Sequence, residues 1–216
     1  MSPIHDPSAF IEFALAESVL KFGQFTLKSG RLSPYFFNLG NVDSGPAMSQ
    51  LGRFYADFIV ANDLVPDVLF GPAYKGIPLA TAVAIALADT HGLDVGVSFN
   101  RKEAKDHGEG GTIVGASLAG SVLVVDDVIS AGTSARESLA LIRAAGARPR
   151  GLVVALDRQE VATGADCSAA AAIAAEFEAP ARALIDLDAL FAFLKGNPDL
   201  GAHLPAIEAY RARYAR

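Results

Sequence analysis

Ser121 to Leu141 reads SVLVVDDVISAGTSARESLAL, and this stretch decides the fold. Val122 to Val125 form a β-branched and apolar run of strand character. Asp126 and Asp127 follow abruptly, then Val128-Ile129, the small turn Ser130-Ala131-Gly132-Thr133-Ser134, and a pattern of helical period. The order is therefore strand, acidic tip, anion-sized turn, helix. Ser134 and Glu137 stand in capping-box spacing and mark the helix start. That places the N–H groups of the turn and the positive end of the helix dipole facing outward, where a phosphate fits. The two carboxylates cannot serve a phosphate, but they accept hydrogen bonds from neutral hydroxyls or metal-bound water. The expected ligand carries a phosphate beside vicinal hydroxyls, as a phosphorylated sugar does.

The same arrangement recurs upstream. Asp67 to Phe70 is a short apolar strand running into Gly71-Pro72-Ala73-Tyr74-Lys75-Gly76 and an apolar helix from about Ile77 to Ala88. Glycines at both ends permit close backbone approach to a ligand, and Lys75 adds a compact cation at a helix N-terminus, which suits a second phosphate. The plainer reading is an ordinary turn with one exposed lysine. Val95 to Phe99 predicts another strand. It leads into Asn100 to Gly111, NRKEAKDHGEGG, a stretch with three basic side chains, one histidine and three glycines. This is either a solvated loop or a mobile lid whose Arg101, Lys102, Lys105 and His107 close over a polyanion and exclude water. Its insertion between two apolar strand patterns, with Ile113-Val114 resuming the sheet, favours the lid.

Downstream, the helix runs to Gly146, and Gly151 to Leu156 predicts a strand ending in Asp157-Arg158. If that strand is parallel to the others, Arg158 lies beside the other loops, since ligands of open α/β sheets bind at the carboxyl ends of strands. Its planar fork suits a carboxylate; an ion pair with Asp157 or Glu160 is the competing explanation. Towards the N-terminus, Asp6-Pro7 reads as an N-cap with proline at N1, opening a helix whose apolar pattern runs through Val19 until Gly23. In FTLKSGRLSPYFFNLG, Phe25 to Lys28 and Tyr35 to Asn38 predict a hairpin carrying Lys28 and Arg31 at its turn. Phe36-Phe37 reads as a core pair or as a stacking surface for a planar ring. Ser44 opens a helix reaching about Asn62. An alanine-rich helix, a strand at Ala183 to Ile185, a helix at Leu187 to Lys195 and an amphipathic tail from Pro198 read as scaffold.

Bulk properties set limits. The 216 residues are 51% apolar, enough for one substantial core, and no polar linker divides them, so one domain over 1–216 is expected. A net charge of −6 argues against nucleic-acid binding through a general basic surface. The single cysteine, Cys167, excludes an intramolecular disulfide. The start MSPIHDPSAF lacks an export signal and no apolar run reaches membrane-spanning length, so the expectation is a reducing cytoplasm without membrane attachment.

VLVVDDVISAGTS resembles the phosphoribosyl diphosphate signature of the type I phosphoribosyltransferases. FTLKSGRLSPYFFN, GPAYKGIPLA, FNRKEAKDHGEGG and ALDRQE are similar, in the same order, to motifs of the orotate phosphoribosyltransferase family, and together they cover essentially the whole chain. The resemblance implies an α/β fold with a mostly parallel sheet flanked by helices, a small hood from the terminal segments, a homodimer and Mg2+. It implies transfer of a phosphoribosyl group from phosphoribosyl diphosphate to orotate in pyrimidine synthesis. By matching position, Ala131 to Ser134 hold the 5-phosphate, Asp126 and Asp127 meet the ribose hydroxyls, and Val128 and Ile129 complete that binding stretch. Tyr74-Lys75 lie on the pyrophosphate, with Lys28 bridging towards it. Phe36-Phe37 contact the base, and Ser130 and Arg158 read its polar edge and carboxylate. Arg101, Lys105 and His107 act across the dimer interface, and Lys102 in its own subunit. Lys28, Lys102, Lys105, His107 and Asp127 are the implied catalytic set. The metal is implied to sit mainly on substrate oxygens. Ser130 stands where many relatives have threonine. A purine phosphoribosyltransferase and a nucleic-acid-binding regulator on the same fold are the rivals; Arg158 with Phe36-Phe37 speaks against the first, and the acidic chain with its intact lid against the second.

Overall fold

The computed structural model describes residues 6–27, 30–105, 111–129, 132–161 and 166–215, with the backbone alone at 103–105 and 111. Helix α1 (Pro7–Ala16) is followed by strands β1 (Leu20–Thr26) and β2 (Leu32–Phe37), helix α2 (Gly45–Ala61), strand β3 (Val68–Gly71) and helix α3 (Gly76–His91). Then come β4 (Gly96–Lys105), β5 (Gly111–Gly115), β6 (Ser121–Ile129), α4 (Thr133–Ala144), β7 (Arg148–Asp157), α5 (Ala169–Phe177), β8 (Ala181–Asp186), α6 (Leu187–Gly196) and α7 (Leu204–Tyr214).

The main sheet has the order β5-β4-β3-β6-β7-β8, with every neighbouring pair parallel except β4 with β5. This is the expected α/β architecture with a mostly parallel sheet flanked by helices. Both faces are covered, which is why Val122 to Val125 are all buried in an unbroken apolar run. Strand periodicity sorts them: Leu123 and Val125 join a core with α1, α2, α3 and α6, whereas Val122 and Val124 join a second core with α4 and α5. From β3 the chain steps outward to β4, then returns to place β6 on the other side of β3. The crevice at the carboxyl ends of β3 and β6 is thus the point where the strand order reverses, the place where such sheets bind ligands.

Helix α1 opens as the sequence predicts, with Asp6 accepting from the Ser8 N–H and Pro7 at N1, but it stops at Ala16 and not at Gly23. Ser18 turns at φ 57°, and the Val19 carbonyl accepts from the Asn38 N–H. Strand pairing claims Val19 and Leu20 although their spacing also fits a helix. The hairpin strands β1 and β2 are correspondingly longer than predicted and pair antiparallel from Leu20↔Phe37 to Thr26↔Leu32. Helix α2 starts on Ser44, which caps the Ala47 N–H, and ends on Asn62, as expected. The predicted loop over 100–111 is corrected in part: 100–105 continue strand β4, which pairs antiparallel with β5, and 106–110 lie outside the described residues. No helix among the described residues is long and apolar enough to cross a membrane.

Candidate active site at the carboxyl edge of the sheet

Strand β6 delivers Asp126 and Asp127 to the crevice, and a short hydrogen-bond relay fixes them. The Tyr55 hydroxyl, on buried α2, donates to the Asp126 carbonyl at 2.8 Å. Asp126 Oδ1 accepts from the Asp127 N–H at 2.9 Å, Asp126 Oδ2 from the Ser134 hydroxyl at 3.0 Å, and Asp127 Oδ1 from the Val128 N–H at 2.8 Å. Burial and the adjacent Asp127 push the Asp126 carboxyl up to about 6, against the opposing pull of the Asp127 N–H, Ser134 and Lys75. The expected capping box is not formed. Helix α4 has Gly132 at its N-cap, at φ 74°, without a side-chain cap among the described residues; Ser134 turns to Asp126, and Glu137 is exposed. The αL backbone suits glycine, and a Cβ there would come within 2.7 Å of Ile173 Cδ1. Among the described residues no side chain caps the first-turn N–H groups of α4, which leaves them open to a ligand. They face a cavity of about 250 Å³ lined by Asp126, Val128, Ile129, Gly132, Thr133 and Ser134.

Across the crevice, the β3–α3 turn supplies a cation, Lys75, and β4 a second, Lys102. Close packing of Gly71 on Gly76 makes that turn tight, since a Cβ on Gly71 would lie 2.0 Å from the Gly76 carbonyl oxygen. Lys75 Nζ meets Asp127 Oδ2 at 2.8 Å and Asn38 Oδ1 at 3.1 Å. Asn100 Oδ1 accepts from the Ala73 N–H at 2.9 Å, and Lys102 Nζ lies 4.8 Å from the centre of the exposed Tyr74 ring. Turn, hairpin end and β4 thus converge on one cationic edge facing two carboxylates.

At the end of β7, Arg158 is buried and fully engaged on one side. Nε contacts Glu160 Oε1 at 2.5 Å, and Nη2 donates at 3.0 Å to both Ser33 Oγ and the Tyr210 hydroxyl. Its guanidinium carbon stands 4.4 Å from the centre of the Tyr35 ring. Burial disfavours ionisation of Glu160, but Arg158, the hydrogen bonds from Tyr210 and Arg158, and Arg31 outweigh it and hold the carboxyl below its usual range. Asp157, next along, is pushed up by burial and by Asp186 and Glu160, with the Gln159 N–H opposing. Between the hairpin and α7 lies a larger cavity of about 750 Å³, which touches this cluster at Arg31, Ser33 and Tyr210 but does not reach the acidic tip of β6.

The phosphoribosyl transferase domain model matches residues 38–163. An orotate phosphoribosyltransferase of Xanthomonas euvesicatoria is 60% identical over 207 residues, which are 95% of this chain and 94% of that one. One of Pseudomonas paraeruginosa is 55% identical over 205 residues, 95% of this chain and 96% of its own. The chain belongs to the orotate phosphoribosyltransferase family. The crystal structure of an orotate phosphoribosyltransferase from Francisella tularensis shares the fold at TM-score 0.87 and 42% identity, covering 96% of this chain and 100% of that one. The type I phosphoribosyltransferase fold follows.

Within this member of the orotate phosphoribosyltransferase family, the residues singled out from sequence are not all brought together: Val128, Ile129, Gly132 and Thr133 line the cavity at the β6 tip, Arg101 lies on β4, and Arg158 stands in its own cluster at the end of β7. Tyr74, Lys75, Lys102, Asp126, Asp127 and Ser134 come together around the crevice. Phe36 and Phe37 do not form a single surface: as strand neighbours they point to opposite faces of the hairpin, Phe36 exposed against Phe25 and Phe37 packed on the core. Lys28, His107, Ser130 and Ala131 lie outside the described residues, as does the Lys105 side chain. Sequence reasoning missed Tyr55, Asn38 and Asn100, which hold the tips, and Ser33 and Tyr210, which hold Arg158. Asn38 and Asn100 stood beside recognised motifs and were legible as strand-end amides. Tyr210 lies 52 residues from Arg158 in a tail without chemical pattern, so no local signal marked it.

Proposed function

We propose that the chain transfers the 5-phosphoribosyl group of phosphoribosyl diphosphate to orotate, forming orotidine 5′-phosphate and pyrophosphate in pyrimidine synthesis. One observation carries this: the acidic tip and uncapped turn of β6 face Lys75 across the strand-order reversal of a family member. Uncapped N–H groups at 132–134, with Ala131, take the 5-phosphate. Asp126 and Asp127 accept from the ribose hydroxyls; to do so Asp127 exchanges Lys75 for the sugar, which frees Lys75 for the pyrophosphate. Lys75 is half-exposed and can make that exchange.

Displacement at the anomeric carbon develops positive charge on the ribose and negative charge on the departing pyrophosphate. Tyr74, Lys75, Lys102 and Lys28 are assigned to the leaving group within one subunit, and Arg101, Lys105 and His107 to that of the partner in a homodimer. The position of Lys102 over Tyr74 supports its place beside its own turn. Ser130 and Arg158 read the base, with one of Phe36 and Phe37 against its ring. The terminal segments, as a hood, belong to the same functional unit of a cytoplasmic enzyme.

Mg2+ fits this donor set. Asp126 and Asp127 are hard oxygen ligands, but among the described residues no group of three or more His, Cys, Asp or Glu side chains could cage a metal ion. The ion would be held chiefly by diphosphate and ribose oxygens, with water between it and the carboxylates, and when bound it neutralises leaving-group charge. A coupled assay with orotate, phosphoribosyl diphosphate and Mg2+ tests the assignment. Orotate consumption is expected, without turnover of adenine or hypoxanthine; a folded sample that leaves orotate untouched removes it.

A further inference from the structure

Arg158 is held by residues from distant parts of the chain. Nε is committed to Glu160, and Nη2 to Ser33 of β2 and Tyr210 of α7. The Tyr210 hydroxyl donates in turn to Glu160 Oε1, closing a ring of three side chains, and Glu160 Oε2 is taken by Arg31 at 3.0 Å. Among the described residues nothing takes Nη1. A guanidinium carries five N–H donors in a rigid plane, so fixing Nε and Nη2 fixes the direction of the remaining edge.

We propose that Tyr210 is a positioning residue: its hydroxyl, offered by the C-terminal helix, holds the plane of Arg158 so that the Nη1 edge is aimed at the carboxylate-bearing base before it arrives. This rests on the assignment of Arg158 to the base made above. An arginine without such partners would lose rotamer freedom on each binding event, whereas one already held meets the ligand preorganised. Simple satisfaction of a buried hydroxyl does not account for the ring. Tyr35, in the same cluster, is fully buried with its hydroxyl unpartnered among the described residues, so burial here does not by itself demand a network. The Tyr210 hydroxyl accepts from Arg158 and donates to the carboxylate that Arg158 also uses, which makes one atom the corner of both contacts.

Tyr210→Phe removes that corner while keeping the ring beside Tyr35 and Tyr214, at 6.0 and 4.9 Å between centroids. Steady-state kinetics of the full chain, with each substrate varied in turn, is the test. Loss of a hydrogen bond to a charged group should raise KM for orotate about tenfold. KM for phosphoribosyl diphosphate should stay within about twofold, and the denaturation midpoint near that of the wild type. Ser33→Ala withdraws the other Nη2 partner and should give the same split, which covers the case in which the tyrosine variant does not fold. An equal rise in both KM values, a fall in kcat at unchanged KM for orotate, or no change in either variant would overturn the proposal. Wild-type protein inert towards orotate would instead overturn the base assignment beneath it.

Discussion

Strands β6 and β7 are neighbours in the sheet and both carry aspartate near their carboxyl ends, β6 at Asp126-Asp127 and β7 at Asp157, yet their tips are finished in opposite ways. The β6 tip sets two carboxylates against one half-exposed lysine and keeps an excess of negative charge, expressed in the raised Asp126 carboxyl. The β7 tip sets Glu160 against Arg158 and Arg31, with Tyr210 closing the ring, and its glutamate is held below the usual range. The difference separates two jobs. On the proposed function, a tip with unsatisfied charge receives a ligand that rearranges its partners, whereas a tip saturated by the protein presents one fixed cation. The pH responses of Asp126 and Glu160 should therefore oppose each other. A carboxyl whose folded pKa is raised, as in Asp126, favours the folded state in acid, and that contribution is lost as pH rises through about 6. A lowered one, as in Glu160, contributes above its unfolded pKa and loses that contribution as pH falls through the folded value.

The largest effect should come from breaking the saturated tip. Glu160→Ala strands two arginines whose side chains are only 10% and 23% exposed. Removing one partner from such a buried cluster costs on the order of 3 kcal/mol, because the remaining charges stay desolvated without compensation. Urea unfolding at neutral pH measures it. A loss under about 1 kcal/mol would show that water or rearrangement satisfies Arg158, and the contrast between the tips would fail.

How much of this was legible in sequence follows from the same contrast. The β6 tip is local: strand, acids, turn and helix start lie close together in the chain, so spacing alone predicts a phosphate site beside hydroxyl acceptors there. Even there the capping box misled, because a nearby buried carboxylate competes for Ser134 more strongly than the helix N-terminus does. Val19 was read as helical because its spacing fits either period, and only its pairing partner Asn38 decides. The β7 tip is assembled from β2, β7 and α7. Arg158 could be seen at a strand end, with Glu160 as a possible partner, but nothing in the tail announced Tyr210. Long-range side-chain pairing leaves no periodic trace in the elements that supply it.

A middle-sized effect, of opposite sign, is expected at the open tip. Asp126→Asn replaces a carboxyl that must ionise in a half-buried site beside Asp127, so it should stabilise the protein at pH 7.5 by roughly 2–3 kcal/mol, the free-energy equivalent of a rise from an unfolded value near 4 to about 6. The gain should shrink as pH falls through about 6 and vanish near pH 4, where the wild-type carboxyl is protonated in both states. Paired denaturation curves across that range read the difference directly, with other groups cancelling. Turnover should fall at every pH, since the ribose loses an acceptor. A variant less stable than wild type at pH 7.5 would mean that the acid pair serves the fold.

The smallest effect on stability should follow Lys75→Met. The ion pair with Asp127 is short, but the lysine side chain is 53% exposed, and exposed pairs contribute under about 1 kcal/mol. Loss of the cation should raise the Asp126 carboxyl further, because Lys75 opposes the push from burial and Asp127; carboxyl titration by NMR would show it. Function should suffer far more than stability, with KM for phosphoribosyl diphosphate rising about tenfold, as befits one charged contact to the diphosphate. The pairing of a small stability change with a large change in KM is what distinguishes a lysine held in reserve for a ligand from one that fastens the fold. Should the midpoint fall as far as in Glu160→Ala, the Lys75–Asp127 pair would be a second structural clasp, and the β6 tip would be no more open than its neighbour.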